Sequence, residues 1–435
     1  MTHKASCKNM LQEAFSLSVN HIHSMPRYMR SDIHHFLCFS LFLLLFCGCE
    51  NKSSEESNPS ETKDIQIDSL LTQRIDSCVQ RLTPKHKTAV YVYDLTADKP
   101  VYGYHEKDTM PTASCMKLVT GIAALHLLGS DYTFDTKIYA KGTLKEGTFK
   151  GIITLKGELD PQLNAYDLQM FPKKLKEIGI KKIEGALNID LTLHEKVTAE
   201  EHWYPWDLTL GKYGIFFHGP EKVMKQTKAC FRNTGIAVAD SSIHLAETPA
   251  GSKCIFRYRR SINLVINKMW KNSSNTQSIG LLYNIGHHID PHANPSTSGV
   301  AYLKSFMKDK VGCLDTTYCI HDGCGLCTYN RLSPVHLVQL LKFGYQDRTI
   351  YQHLNKYLPR SGVDGTLAYE MREPLLRGKI RAKTGTLSHP YGISTLSGYC
   401  EGRNGHTLAF SIMNSQMSVL DARVIQRKLC KSFVK

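Results

Sequence analysis

Long apolar segments are scarce in this chain of 435 residues. The only one, residues 36–48, has 13 residues, whereas a helix that crosses a bilayer needs about 20. This shortage excludes a protein with several membrane-spanning helices. Hydrophobic residues still make up 42% of the chain and charged residues 21%. That is enough apolar material for a large core, and it excludes disorder over most of the length.

Signatures of nucleic-acid binding are also missing. Basic residues number 54 against 39 acidic ones, which gives a formal net charge of +15 and favours anionic partners. Yet the sequence has no zinc-finger spacing, no RNP-like segment and no helix densely lined with Lys and Arg. It also has no internal repeat of about 20–50 residues. We therefore expect no nucleic-acid partner and interpret the excess charge as a solvated basic surface.

Metal-binding patterns are equally sparse. Of the 14 cysteines, four precede residue 50, which leaves 14 − 4 = 10 in the body of the protein. Cys324 and Cys327 form a single C-x-x-C, but a zinc site usually has a second pair or nearby histidines. The histidine-rich tract at 287–292 is interpreted as a loop. We predict small buried or bridged cysteines and no metal site.

The start of the chain has the pattern of an export signal. Read from Met25, two arginines precede the apolar residues 36–46, as in a secretory signal peptide. The sequence FCGC that ends at Cys49 resembles a bacterial lipobox, in which the cysteine is lipidated. We predict a leader at residues 1–48 with lipidation at Cys49, and translation that starts at Met25 or Met29. The alternative is plain secretion with cleavage nearby.

Residues 49–64 are rich in Ser, Glu, Asn and Pro and are predicted to form a tether, because they cannot bury apolar area. The folded protein is expected to begin near residue 65. It would then be exported, would face the periplasm of a bacterial cell envelope, and would touch the membrane only through its N-terminal anchor.

The hydrophobic pattern of the body predicts an α/β (α+β) fold. Strand-like segments occur near both ends of the chain, and residues 131–254 have short strands near glycine turns instead. The economical arrangement is one antiparallel sheet flanked by helices, built from residues 65–130 and 255–435, with 131–254 as an inserted β-rich subdomain. The predicted strands outside the insertion are 88–93, 101–104, 379–383, 393–399 and 406–412. The predicted helices are 67–82, 262–270, 300–309, 334–343 and 419–433.

A serine and a lysine one helical turn apart open the helix that follows Ala113. Positions i and i+3 share a helix face, so the hydroxyl of Ser114 and the amine of Lys117 can meet. Serine becomes a nucleophile when a base lies within hydrogen-bond reach, and burial can keep a lysine neutral for that task. The pattern recurs at 60–63 and 305–308, but only the copy at Ser114 follows a hairpin and starts an apolar helix.

Two further elements follow in order. Ser261 and Asn263 form an S-x-N pattern that can present a hydroxyl and an amide to one cleft. A second copy stands at 273–275, and we prefer the first because it opens an apolar helix. Lys383-Thr384-Gly385-Thr386 ends a predicted strand, and its K-T-G occurs once. We expect the lysine and the threonines to receive an anionic group, Gly385 to allow close approach of a ligand, and Thr386 to supply a backbone N–H.

S-x-x-K, S-x-N and K-T-G in this order resemble the signature of penicillin-binding proteins and class A β-lactamases. The tracts LKGELDPQL (155–163), DGCGL (322–326), GVDGTL (362–367) and RAKTGT (381–386) narrow the resemblance to the D-alanyl-D-alanine carboxypeptidases of the peptidase S13 type, which also act as endopeptidases. It extends from about residue 65 to the C-terminus. Two departures are Ile262, where the family usually has Asp, and D-G-C-G-L-C in place of D-G-S-G-L-S.

The resemblance implies a serine β-lactamase/DD-peptidase-like fold and a serine peptidase that needs no cofactor. Ser114 would attack the D-Ala–D-Ala carbonyl of a peptidoglycan stem peptide, with Lys117 as the base. Ser261 with Lys383 would pass a proton to the departing D-alanine, and Asn263 would orient the substrate amide. The substrate carboxylate would bind Lys383, Thr384, Gly385 and Thr386. β-Lactams would acylate the same serine.

Two other functions stay open at this point. A non-catalytic, penicillin-binding-protein-like lipoprotein could bind peptidoglycan, and the altered D-G-C-G-L-C tract leaves room for it. A β-lactamase or esterase on the same fold would need a strong deacylating base, and no convincing E-x-x-x-N follows the S-x-N pattern. The balance of carboxypeptidase and endopeptidase activity, the oligomeric state and the membrane of residence are left open by the sequence.

Overall fold

A computed structural model describes residues 66–82, 87–315 and 317–434. The predicted leader, the tether and Cys49 lie outside the described residues. The strands are β1 Thr88–Asp94, β2 Lys99–Tyr104, β3 Met110–Pro111, β4 Thr133–Lys145, β5 Thr148–Gly157, β6 Lys182–Leu191, β7 Ile243–Leu245, β8 Lys253–Ser261, β9 Arg331–Leu332, β10 Ile380–Leu387, β11 Ile393–Glu401 and β12 Thr407–Ser415. The α-helices are α1 Ser69–Val79, α2 Met116–Leu128, α3 Ala165–Leu168, α4 Met170–Glu177, α5 Pro220–Thr234, α6 Ile262–Lys271, α7 Asn275–Ile289, α8 Pro295–Ser305, α9 Pro334–Gln346, α10 Arg348–Tyr357 and α11 Val419–Phe433.

Both ends of the described chain meet in one five-stranded antiparallel sheet with the order β10-β11-β12-β1-β2. Alternate residues of β1 face opposite sides, as the period of a strand requires. Val90 and Val92 enter the cluster of apolar side chains with α1 and α11, whereas Ala89 enters the cluster with α2, α6, α7 and α9. The sheet is therefore covered by helices on both faces, as the sequence predicted, and β10 is left as one edge.

A second five-stranded sheet lies between Thr133 and Ser261, with the order β7-β6-β5-β4-β8. The pairs β4·β5 and β4·β8 are antiparallel, and β5·β6 and β6·β7 are parallel. Its apolar face packs with α4 and α5 in a hydrophobic cluster of its own. The last strand, β8, ends at Ser261 and leads directly into α6. The last strand of the second sheet is thus followed directly by the helices that pack against the first sheet.

Two long helices differ from the sequence-based prediction. Helix α7 includes His287 and His288 in its last turn, so the loop predicted at 287–292 is wrong over its first residues. Its residues 276–286 are all buried, and a helix without a solvent face has no amphipathic period to detect. Helix α5 is absent from the predicted helices, although its buried residues Val223, Thr227, Cys230 and Phe231 recur at helical spacing.

Within the described residues we looked for disulfides, for metal ligands and for helices that could span a membrane. All ten cysteines described are unbridged, and most are buried. No group of three or more His, Cys, Asp or Glu side chains among the described residues could hold a metal ion. None of the described helices combines the length and the hydrophobicity that crossing a membrane would demand.

We predict that the buried ion pair of β8 is required for stability. Arg260 contacts Asp160 at 2.9 Å and Asp167 at 3.1 Å, and the Asp160 side chain is 0% exposed. Arg260→Met should lower the free energy of unfolding by about 3–5 kcal/mol, because it leaves a buried carboxylate without its cation. The control Arg257→Met removes a half-exposed arginine 3.5 Å from Asp135 and should cost less than about 1 kcal/mol. Denaturant titration measures both, and equal losses would contradict this account.

Candidate active site

Ser114 and Lys117 meet at the start of α2. Ser114 lies in a short 3-10 turn, Ala113–Cys115, directly before the helix, and its Oγ is 2.9 Å from Nζ of Lys117. Ala113 has φ of +42°, a left-handed conformation that alanine rarely adopts and that costs about 1–3 kcal/mol. Packing must hold this strained turn in place, and strain of this kind is typical of functional sites.

The amine of Lys117 is surrounded by oxygen atoms. Besides Ser114, it contacts the side-chain Oδ1 of Asn275 at 2.7 Å and the backbone carbonyl of Cys324 at 2.6 Å. A neutral amine has two N–H donors and one lone pair. Since the carbonyl and the amide oxygen only accept, both N–H groups are used there, and the lone pair is left for the Ser114 hydroxyl. Burial lowers the pKa of Lys117, although Cys324, Asp322 and Cys115 oppose the shift.

The carbonyl that receives Lys117 belongs to a loop organised by Asp322. This side chain is 0% exposed and accepts five hydrogen bonds, all from nitrogen donors within 2.9 Å. All five partners are donors, so both carboxyl oxygens of Asp322 are fixed as acceptors. Sequence reasoning noted the D-G-C-G-L-C tract only as a resemblance and gave Asp322 no role. The donors are the backbone N–H groups of Cys324, Gly325 and Cys327 and the side chains of Asn330 and Trp203.

The hydroxyl and amide opposite Ser114 come from Ser273 and Asn275, and this corrects the prediction of Ser261 and Asn263. Ser273 lies in the connection between α6 and α7, and its Oγ accepts a 2.8 Å hydrogen bond from Nζ of Lys383. Asn275, the first residue of α7, contacts Lys117. Ser273 has φ of +57°, a second strained residue at the same site.

Ser261 and Asn263 occupy the other end of α6. The Ser261 side chain caps the helix by accepting the backbone N–H of Asn263. The Asn263 side chain bonds to the Ser130 carbonyl and lies 2.6 Å from Nε2 of His353. Ten residues of helix span about 15 Å, so the two S-x-N copies cannot reach one site. The missed signal was the short connection Asn272-Ser273-Ser274 between two helices, since Asn and Ser are residues that favour turns.

The third predicted element, on β10, does meet the first. Lys383 is fully buried, and its Nζ also donates to the carbonyl of Thr384 at 2.7 Å. Burial, followed by the nearby charge of Lys117, lowers the pKa of Lys383 to about 7. Two buried amines this close disfavour simultaneous charge.

The outer edge of β10 faces the same cleft. Ala382 donates its backbone N–H outward to the carbonyl of Pro359, and strand residues alternate, so the backbone groups of Thr384 and Thr386 point to that side too. The Thr384 hydroxyl donates to the hydroxyl of Thr366 in the GVDGTL tract at 2.7 Å. Both β10 threonines line a small crevice that also contacts Thr366 and, on α11, Arg423 and Gln426. This edge can therefore pair with an extended ligand.

Gly385 was expected to allow close approach of a ligand, but the structure gives another reason for a glycine at this position. A Cβ at this position would lie 2.1 Å from Oγ1 of Thr395 and 2.8 Å from the carbonyl of Thr112. The missing side chain therefore admits the turn that carries Ser114, instead of a ligand. Gly325 plays a similar part on the other side, since a Cβ there would lie 1.8 Å from the carbonyl of Ala113.

Comparison with known proteins identifies the family of the chain. The sequence model of the D-Ala-D-Ala carboxypeptidase 3 (S13) family matches residues 71–214 and 218–432. D-alanyl-D-alanine carboxypeptidase DacB of Haemophilus influenzae is 21% identical in an alignment that covers 77% of this chain and 87% of that protein. D-alanyl-D-alanine carboxypeptidase of an Actinomadura species is 24% identical in an alignment that covers 75% of this chain and 77% of that protein.

A solved structure extends the likeness to the fold. Penicillin binding protein 4 of Haemophilus influenzae superposes with a TM-score of 0.68 at 19% identity, covering 81% of this chain and 97% of that one. The predicted fold of the DD-peptidase type, with antiparallel strands flanked by helices, is confirmed.

The depressed pKa of Lys383 predicts a pH-dependent stability. Its native pKa of about 7 lies below the ordinary value of 10.5, so between these values the unfolded chain binds a proton that the native state lacks. The free energy of unfolding should therefore rise with pH in this window, by about 1.4 kcal/mol per pH unit from this group, and the contribution is lost as pH falls towards 7. Denaturant titrations between about pH 7.5 and 9.5 measure the slope.

Lys383→Met should reduce the slope of the unfolding free energy against pH by about 1.4 kcal/mol per pH unit, the contribution of one proton. The exposed Lys107 offers a matched control, because Lys107→Met removes a lysine in contact with solvent and should leave the slope unchanged. An identical slope in Lys383→Met and wild type would show that Lys383 keeps its proton in the native state.

Proposed function

The chain belongs to the D-Ala-D-Ala carboxypeptidase 3 (S13) family, and from this premise we propose that it is a serine-type D-alanyl-D-alanine carboxypeptidase with endopeptidase activity. Its substrates would be peptidoglycan stem peptides, and it would act through an acyl-enzyme on Ser114. One observation carries the proposal: the buried amine of Lys117 lies 2.9 Å from the Ser114 hydroxyl, with its other two contacts on acceptor oxygens.

The first step transfers an acyl group to the enzyme. Lys117 takes the proton of the Ser114 hydroxyl as Oγ attacks the carbonyl of the D-Ala–D-Ala bond, so the amine becomes an ammonium and a tetrahedral oxyanion forms. Two backbone N–H groups are available to stabilise it. One is at Ser114, since the first N–H groups of a helix lack helical partners. The other is at Thr386, on the outward side of β10.

The second half of the step releases D-alanine. Its nitrogen needs a proton as the C–N bond breaks, and the hydroxyl of Ser273 can pass one on because Nζ of Lys383 lies 2.8 Å from it. Ser273 thus takes the part expected of Ser261. Water then attacks the ester carbonyl and gives its proton through Ser273 to Lys383, while the Lys117 ammonium returns its proton to Ser114 Oγ. Both lysines and the serine are thereby restored.

Recognition of the substrate rests on the cleft between α7 and β10. Its terminal carboxylate meets Lys383 and the hydroxyl of Thr386, which supply a cation and a donor. The Thr384 hydroxyl becomes a second donor when it turns from its bond with Thr366. Because the Asn275 Oδ1 is used by Lys117, its amide N–H₂ is left to donate to a substrate carbonyl. β-Lactams carry a carboxylate near a reactive carbonyl, so we expect them to acylate Ser114 as well.

The two other candidate functions explain less of this geometry. A binding module has no use for a serine carried by a strained turn beside a buried lysine whose pKa is lowered. A β-lactamase would need a group that activates water against the acyl-enzyme quickly. We also propose export to the periplasm-facing cell envelope with lipidation at Cys49, which lies outside the described residues.

A fluorescent penicillin tests the nucleophile. We expect the wild-type protein to form a stable covalent adduct and to release D-alanine from a peptide that ends in D-Ala-D-Ala. Ser114→Ala should form no adduct, because it removes the attacking oxygen. Lys117→Ala should lower the acylation rate by at least about 10²–10⁴-fold, the usual contribution of a general base.

The readouts are gel fluorescence and mass spectrometry of the adduct, with thermal unfolding to verify folding of each variant. Rapid turnover of the drug would identify a β-lactamase instead. No adduct and no D-alanine from folded wild-type protein would favour a binding module, and wild-type labelling of Lys117→Ala would remove Lys117 as the base. Mass spectrometry of peptidoglycan fragments separates stem trimming from cross-link cleavage.

A pair of serine variants tests the corrected assignment. Ser273→Ala should lower the rate of D-alanine release by about 10²–10⁴-fold, because it interrupts the proton path from Lys383. Ser261→Ala should keep the wild-type rate and cost about 1 kcal/mol of stability, the ordinary value of a helix N-cap. Steady-state kinetics and thermal unfolding of both variants measure this, and the reverse pattern would restore the first S-x-N copy.

A further inference from the structure

A groove of about 750 Å³ lies between the first and the last helix of the described chain, α1 and α11. Of the described residues that line it, five are cationic and none is acidic. The cations are Arg74, Arg81, Arg403, Lys428 and Lys431. The same walls include the apolar side chains of Leu70, Leu82 and Cys78. We call this site the α1–α11 groove, and it combines positive charge with apolar surface.

The positive charge of the groove is only partly neutralised. Arg74 pairs with Asp68 at 2.6 Å, and Lys431 pairs with Glu373 at 3.1 Å. No carboxylate of the described chain lies within ion-pair distance of the other three cations. Like charges that share one groove raise the local potential, and such a potential attracts anions. The groove therefore favours an anionic ligand over a neutral one.

The walls of the groove are joined to each other. Nε of Arg74 on α1 donates to the backbone carbonyl of Ser432 on α11 at 3.2 Å. The thiol of Cys78 donates to the backbone carbonyl of Lys428 at 3.8 Å. The inner sides of both helices are buried in one apolar cluster with the main sheet. The groove is therefore formed before a ligand arrives, and a preformed site avoids the cost of ordering its walls on binding.

We propose that the α1–α11 groove binds the headgroup of an anionic phospholipid at the surface of the membrane. The inference rests on the proposed envelope location, which brings the protein next to a membrane. A phosphate group accepts charge-assisted hydrogen bonds from arginine and lysine. The first methylenes of the acyl chains match the apolar part of the groove, where Leu70 is 57% exposed. A nucleic acid or an acidic polymer has no acyl chain to cover Leu70, so a lipid fits the groove better.

The groove lies where the N-terminal segment enters the folded protein. The described part of the chain that contains α1 begins at Gln66, and the helix starts three residues later at Ser69. The segment that carries Cys49 therefore joins the folded protein at one wall of the groove. The sequence predicts membrane contact through the N-terminal anchor alone, and the groove adds a second contact. Cations held close to an anionic lipid surface strengthen attachment to it.

The position of the groove also sets the direction in which the active site faces. Helices α1 and α11 cover one face of the main sheet, and α2, which follows Ser114, covers the other. A membrane at the groove is therefore separated from Ser114 by the main sheet. Docked in this way, the protein presents its catalytic cleft away from the lipid, on the side where the proposed peptidoglycan substrate is.

Vesicle binding tests the charges of the groove. The full chain with Cys49→Ser, which removes the proposed lipidation, is sedimented with vesicles of equal parts phosphatidylglycerol and phosphatidylcholine. We expect it to partition more strongly into these vesicles than into pure phosphatidylcholine. Arg81→Gln with Lys428→Gln should lower the partition coefficient by about 25-fold, because each cation near an anionic lipid surface contributes about fivefold. All proteins compared carry the same N-terminal residues, so a difference between them reports on the groove.

Two matched variants accompany this test. Arg81→Lys with Lys428→Arg keeps both charges and should retain most of the binding. Lys253→Gln with Arg259→Gln removes two exposed cations from β8, and its partition coefficient should stay within about twofold of the wild-type value, because charges far from the lipid are screened. Thermal unfolding verifies that each variant is folded.

Short-chain lipids identify the ligand. In calorimetric titration, dihexanoyl-phosphatidylglycerol should bind at least about tenfold more tightly than glycerol 1-phosphate, because its methylenes cover apolar surface. Dihexanoyl-phosphatidylcholine, which has no net charge, should bind more weakly than the anionic lipid. Leu70→Ser should narrow the difference between the anionic lipid and glycerol 1-phosphate. Leu264→Ser, which changes a leucine that is 53% exposed on α6, should leave that difference unchanged.

Three outcomes would overturn the proposal. One is equal partition of wild type and the glutamine variant of Arg81 and Lys428, and another is an equal loss in the β8 variant. The third is glycerol 1-phosphate that binds as tightly as the short-chain lipid, which would identify a site for free phosphate instead. Release of D-alanine from a soluble peptide should be the same in all groove variants. If the wild type releases none while vesicle binding still depends on Arg81 and Lys428, the peptidase proposal fails and the groove stands.

Discussion

Burial of one amine among oxygen atoms is the constraint on which the rest of the site depends. Lys117 has no exposed surface, and its three polar contacts come from α2, from α7 and from the loop at Cys324. An ammonium in that position would be costly to desolvate, so the protein gains by leaving the amine neutral. A neutral amine beside a hydroxyl is a base. In the proposed mechanism, the same packing that hides the lysine therefore also activates Ser114.

Strain and close packing explain why these three segments stay together. Ala113 and Ser273 both have a left-handed backbone, and such residues persist only where the surroundings over-determine them. Gly325 and Gly385 let the chain approach Ala113 from two sides. The indole N–H of Trp270 bonds to the Lys117 carbonyl at 2.8 Å and fixes α2 against α6. Close packing of the backbone thus holds the turn that carries Ser114 in place.

The sequence revealed those parts of the site that have a local signature. Ser114 and Lys117 share a helix face, and the single K-T-G ends a strand, so both could be predicted from spacing. The S-x-N pair could not, because both copies flank α6 and only the tertiary fold decides which end of that helix meets Lys383. Helix α7 carries Asn275, yet burial on all sides removed its periodicity. Three of the five donors to Asp322 are backbone N–H groups. Because almost every residue type carries such a group, no sequence pattern marks them.

Asp322 connects two segments of the chain at the cleft. One of its side-chain oxygens accepts the N–H groups of Cys324 and Gly325, and the other accepts the indole N–H of Trp203. The segment that carries Trp203 and the carbonyl that contacts Lys117 therefore share one fixed group. Because this group is fully buried and its five donors leave it little freedom, it holds the carbonyl of Cys324 in register with Lys117. In the proposed mechanism the partners of the lysine are thus in place before substrate binds, and polar groups that need no rearrangement during the reaction are the ones that lower its barrier most.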